Sequence, residues 1–194
     1  MADSIDVAKN ISGAWQLMTG KADGIRLLDL SADGFWNSFF AIAVALPALA
    51  LGWIAIAGEM TVDGSGSTGL IARLAVVDIG AWVLPLIGFA LIARPAGLSP
   101  RFVHYVVASN WGSAIVAWLM APAALVRLLV PSSADFAALL SLALFALTMV
   151  LTWRLTTAVI ARGPAIGSAV FAGMFAASLA VLFSLQALLG IAGP

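Results

Sequence analysis

Five stretches of this chain run for twenty or more residues with at most two charged side chains each: residues 35–58, 69–93, 102–130, 136–161 and 164–190. A hydrocarbon layer about 30 Å thick is crossed by a helix of about 20 apolar residues. Lipid cannot satisfy exposed backbone N–H and C=O groups, so spans of this kind are helical. The gaps are short and rich in breakers: "GEMTVDGSGSTG", "RPAGLSPR", "PSSAD" and "ARGP". Composition agrees, with 63% of residues hydrophobic and only 9% charged, against about 45–50% and about 25% in soluble domains. The fold expected is all-α and polytopic: one five-helix transmembrane domain, residues 35–194, preceded by an amphipathic arm, residues 1–34.

The arm is too polar to span. Over residues 4–19, Val7, Ile11, Ala14, Trp15 and Met18 fall on one helical face, with Asp6, Lys9, Asn10 and Gln16 mostly elsewhere. Asp3 or Ser4 is placed to cap the start. Such a helix lies on a membrane surface, with Val7, Ile11, Trp15 and Met18 toward lipid, or packs the same face on the bundle. Of the nine basic residues, Lys9, Lys21, Arg26, Arg94, Arg101, Arg154 and Arg162 fall on the side of the N-terminus, leaving Arg73 and Arg127 opposite. Basic residues stay in the cytoplasm, so the N-terminus is expected inside and the C-terminus outside. Trp15, Trp36 and Trp53 are placed for interfacial belts.

Few side chains in the spans carry chemistry. Asp78, in "RLAVVDIGAWVLP", lies about 14 Å into the second span at 1.5 Å per residue. A charge at a helix centre costs roughly 2.5–3.5 kcal/mol on insertion scales. Asp78 is therefore either a proton or cation relay or a hydrogen-bonded anchor between helices. Arg73 is five residues away and meets it poorly around the helix. Arg154 sits near the inner end of the fourth span, roughly 12 Å from Asp78 along the normal, and reaches the interface by snorkelling. Asn110, in "VVASNWGSAIV", is placed to hydrogen-bond a neighbouring helix or to face Asp78. Asp78, Asn110 and Arg154 form the candidate intramembrane polar site. Pro47, Pro85 and Pro122 interrupt spans one to three. In the fifth span Ala165, Ala169, Gly173 and Ala177 recur every fourth residue, with Gly163 and Gly167 as a second small pair. That face admits a closely approaching helix, from this chain or another.

Familiar enzyme chemistry is not legible. The chain has no cysteine and one histidine, which leaves no HExxH site. Ser113 is nine residues from His104 on one helix, about 13 Å along its axis. Only one acid is embedded, where an aspartyl protease of the membrane needs two. "DGSGSTG" lacks the strand before it and the lysine after it that a phosphate loop requires. No enzyme activity, cofactor, metal or nucleic-acid partner is expected, and the formal net charge of zero recruits none at long range.

Two stretches, "DGFWNSFFAIAVALPALAL" and "RFVHYVVASNWGSAIVAWLMAPAAL", open spans one and three. The second starts on an arginine with aromatics and later carries Ala-Pro. With five spans, an inner N-terminal segment and a short outer tail, the layout resembles the Yip family of polytopic membrane proteins. The resemblance implies that fold and sidedness and transfers no functional residue. The Ala/Leu/Gly-rich, cysteine-free composition points to a bacterial inner membrane. The function expected is a membrane scaffold, assembly factor or complex subunit working through lipid, a protein partner or further copies of itself. The alternative is a small transporter or channel, proton-coupled in one form, with an ion or small molecule near Asp78 and Asn110.

Overall fold

Apolar runs this long satisfy their backbone internally, and the computed structural model, which describes residues 5–60, 67–130 and 133–191, is helical almost throughout. The elements are α1 (Val7–Met18), a 3-10 turn (Ala22–Leu27), α2 (Ala32–Asn37), α3 (Phe40–Met60), α4 (Ser67–Ala93), α5 (Ser99–Leu129), α6 (Ala134–Ile160) and α7 (Pro164–Leu188). The five helices long and apolar enough to cross a membrane are α3, extended back through α2, and α4 to α7. The described residues contain no strand.

Element ends depart from expectation in two places. Helix α1 starts at Val7, and Asp6 caps it by accepting the Lys9 N–H at 2.9 Å. Asp3 and Ser4 lie outside the described residues, as does most of the "DGSGSTG" loop. The first span does not run unbroken from residue 35. Ser38 donates its hydroxyl to the Phe35 carbonyl at 2.7 Å and sits in a break between α2 and α3. A serine hydroxyl bonded to its own backbone competes with the helical ladder, and hydropathy does not register it. Pro47, Pro85 and Pro122 all lie inside continuous helices.

The five long helices alternate in direction, and their packing order is a ring: α3 beside α5, then α6, α7, α4 and back to α3. At one end the Arg162 guanidinium donates to the Gly97 carbonyl at 2.9 Å, tying the α4–α5 and α6–α7 turns together. At the other, Arg127 meets Glu59 at 3.4 Å and Arg73 donates to the Leu189 carbonyl at 3.2 Å. The arm joins the first end. Most of the basic side chains therefore gather at one end of the bundle.

The arm is seated in protein. Ala14, Leu17 and Met18 are fully buried with Val106, Val107 and Trp111 of α5 and Leu155, Val159 and Ile160 of α6. Burying a leucine or methionine contributes about 1.5–3 kcal/mol relative to exposure in water. Asn10 clips the arm by accepting the Asp29 N–H at 3.3 Å while donating to the Asp6 carbonyl at 2.9 Å. The face read as lipid-directed thus divides. Ala14 and Met18 go into the bundle, Val7 and Ile11 pack half-buried against it, and Trp15 remains 44% exposed. An apolar stripe has the same spacing whichever surface covers it. The opposite extreme is α7, whose most apolar window has only 6% of its residues buried.

Candidate functional site

The ring of helices surrounds a cavity of about 450 Å³. All five spanning helices contribute to its wall, and Met18 of the arm reaches into it. On α5 the lining runs from Tyr105 to Ala124, about 28 Å at the helical rise. Towards the arm, Phe89 packs on Phe102 and Tyr105 with ring centroids 5.8 and 4.9 Å apart. Gly112 makes room for the arm: a Cβ there would lie 3.1 Å from Met18 Cε and 2.8 Å from Leu155 Cδ1. Met18 and Tyr105 thus line the arm end of the cavity, with Phe89 packed behind Tyr105.

Among the described residues Asp78 is the one charged side chain in the wall. Its Oδ2 accepts the Trp53 indole N–H from α3 at 2.7 Å. Among the described residues no second donor and no basic group reaches it. Arg73, one turn and more away, is spent on Leu189. Trp53 is only 6% exposed, so it is not an interfacial belt residue. An indole N–H buried in an apolar helix needs an acceptor, and Asp78 is the acceptor at matching depth on the adjacent helix.

Asn110 lies one turn deeper and does not face Asp78. Its Oδ1 accepts the Trp82 indole N–H at 2.9 Å, and its Nδ2 donates to the Ser38 hydroxyl at 2.8 Å. It is fully buried. Trp82, four residues after Asp78 on α4, also lines the cavity, so two tryptophans separate the acid from the amide. Ser38, Trp53 and Trp82 complete the polar site; Ser38 and Trp82 were not singled out from sequence, and Trp53 was read there as a belt residue. Pro85 lacks an N–H, which leaves the Ala81 carbonyl without its helical donor, and both residues are in the wall.

Arg154 belongs to the arm end. It is exposed, and a Cβ at Gly20 would sit 3.2 Å from its guanidinium. It takes no part in the cavity. The small-residue positions of α7 also separate. Gly167 is buried, where a Cβ would come within 2.7 Å of Thr157 Cγ2 and 2.8 Å of Thr157 Cα on α6. Ala165, Ala169 and Gly173 face outward, Ala177 is half-buried, and Gly163 caps α7 outside the contact.

A second, polar cavity of about 810 Å³ lies between the arm and the bundle, bordered by Asp6, Lys9, Asn10, Asp29 and Asp33. Asp6 is already the cap of α1. Asp29 accepts the Ser31 N–H at 3.0 Å. Hydrogen bonds from Ser31, with help from the Lys9 charge, hold the Asp29 carboxyl below its usual range. Among the described residues no group of three His, Asp or Glu is placed to hold a metal ion.

Comparison with known protein families, characterised proteins and solved structures gives no match. The functional reading therefore rests on the site itself.

Proposed function

We propose that this chain is an integral membrane protein that binds a small solute in the cavity between its five spanning helices, as a transporter or channel of small size does. The N-terminus and arm are cytoplasmic and the tail is outside, in a bacterial inner membrane. One observation carries the reading: a cavity of about 450 Å³ is walled by every spanning helix and contains a single carboxylate, Asp78. Ligand sites are typically concave, mostly apolar and marked by few polar groups. Ionisable side chains inside a membrane mark solute or ion pathways more often than not. The proline-interrupted helices α3, α4 and α5 supply the points where the wall can bend.

The chain lacks cysteine, so single cysteines test this directly. Ser113→Cys and Ser178→Cys line the cavity, whereas Leu142→Cys faces outward, at 64% exposure. In intact membranes a charged, impermeant thiol reagent modifies the first two from at least one side and leaves the third unreacted. Inertness at both cavity positions overturns the reading.

A second reading, a scaffold or subunit of a larger assembly, is favoured by the outward row Ala165, Ala169 and Gly173, which suits close approach of another helix. Its test is the mass of the assembly in mild detergent, where a stoichiometric partner or a second copy is expected.

A further inference from the structure

The chemistry of the wall points to a ligand class, an inference that rests on the solute-binding reading above. We infer that the cavity takes a hydrophobic organic monocation, an amine with an aromatic or branched alkyl body, whose ammonium meets the unpaired oxygen of Asp78.

Three observations converge. First, the Trp53 indole occupies Oδ2 alone, at 2.7 Å, and leaves the other carboxylate oxygen without a protein donor among the described residues. No Lys or Arg lines the cavity. A half-buried carboxylate with no basic neighbour is compensated best by a charge the ligand brings. Second, the wall is rich in aromatics: Trp53 bonds Asp78 directly, and Trp82, Tyr105, Phe171 and Phe175 also line the cavity. Aromatic faces attract ammonium groups, more strongly when water is excluded. Third, four of the chain's six methionines, Met18, Met120, Met149 and Met174, line the same space. Unbranched thioether chains conform to bodies of varied shape and recur at permissive binding surfaces. An anionic ligand would meet Asp78 with no counter-charge. A neutral apolar one would leave the carboxylate oxygen unmatched.

The test compares two probes of one shape. The full chain in lipid nanodiscs is titrated by fluorine NMR with 4-fluorophenethylammonium and with its carbon isostere, 4-fluoropropylbenzene. Empty nanodiscs correct for partition into lipid. The ammonium is expected to bind at least tenfold tighter than the isostere, and Asp78→Asn to remove that advantage. Gly52→Leu is expected to displace both probes, because Gly52 lines the cavity and a Cβ there meets nothing within 4 Å. Should Asp78→Asn fail to assemble, Trp53→Phe reads the same point. It frees the second oxygen and should raise ammonium affinity severalfold without moving the isostere. Equal affinity for the two probes, or an ammonium advantage that survives Asp78→Asn, overturns the cation assignment while displacement by Gly52→Leu preserves the solute site. Binding of neither probe above empty nanodiscs overturns both.

Discussion

The Asn110 network offers a quantitative test of the geometry. Asn110 accepts from Trp82 at 2.9 Å and donates to Ser38 at 2.8 Å, joining α5 to α4 and to the break before α3. Hydrogen bonds between helices in lipid contribute about 0.6 kcal/mol on average and up to about 1.7. Asn110→Leu deletes two of them. It also strands the Trp82 indole N–H, and an unsatisfied buried donor costs about 1–3 kcal/mol. The expected loss is about 2–4 kcal/mol. Trp82→Phe deletes one bond and leaves the fully buried Asn110 Oδ1 without its donor, so it should cost about 1–3 kcal/mol. Measured together as a double-mutant cycle, by equilibrium unfolding in mixed micelles, the two changes should couple by about 0.6–1.7 kcal/mol. Trp118→Phe provides the control. Its indole donates to the Val44 carbonyl at 3.0 Å and shares no partner with Asn110, so that cycle should be additive within about 0.5 kcal/mol. Additivity of Trp82 with Asn110 would refute the assigned bond and with it the register of α4 against α5.

Other expectations follow from single contacts. Gly167→Leu drives a side chain into the Thr157 backbone and should lower the unfolding midpoint by an amount equivalent to about 1–3 kcal/mol. Gly173→Leu, where a Cβ meets nothing within 4 Å, should leave that midpoint nearly unchanged. The Asp29 carboxyl is held below its ordinary range by Ser31 and Lys9. Its contribution to the turn that leads into α2 is therefore complete above the unfolded value of about 3.9 and is lost as pH falls through the lower folded value. Amide exchange in residues 22–34 should accelerate below about pH 4 in the native chain and be insensitive to that change in Asp29→Asn. For sidedness, cysteines at Lys21 and Ala96 should react with impermeant reagent only after the cytoplasmic face is opened, and one at Ser133 should react from outside.

The five long helices were legible because nothing competes with an unbroken apolar run. Their order around the ring was not. Helices that are apolar on every side carry no stripe to say which face meets which neighbour, so α4 beside α7 and α3 beside α5 had no signature. Asp78 and Asn110 stood out by cost alone, which gives a position but not a partner. The partners proved to be tryptophans, whose indole rings had read as belt residues or plain bulk. Met18 was visible on the apolar face of the arm. Its burial against Gly112 needed the third dimension, since Gly112 in sequence is one glycine among eighteen.

The arm is synthesised well before α5 and α6, the helices that seat it. Met18 rests against Leu155 and Trp111, and Leu155 follows it by roughly 140 residues, on the order of ten seconds of synthesis at about 5–20 residues per second. Until α6 is made, Leu17 and Met18 lack half of their docking surface in the chain itself. The bilayer leaflet or a chaperone must shelter them. The cavity consequently gains Met18 as part of its wall only when this earlier segment folds back under helices made long after it.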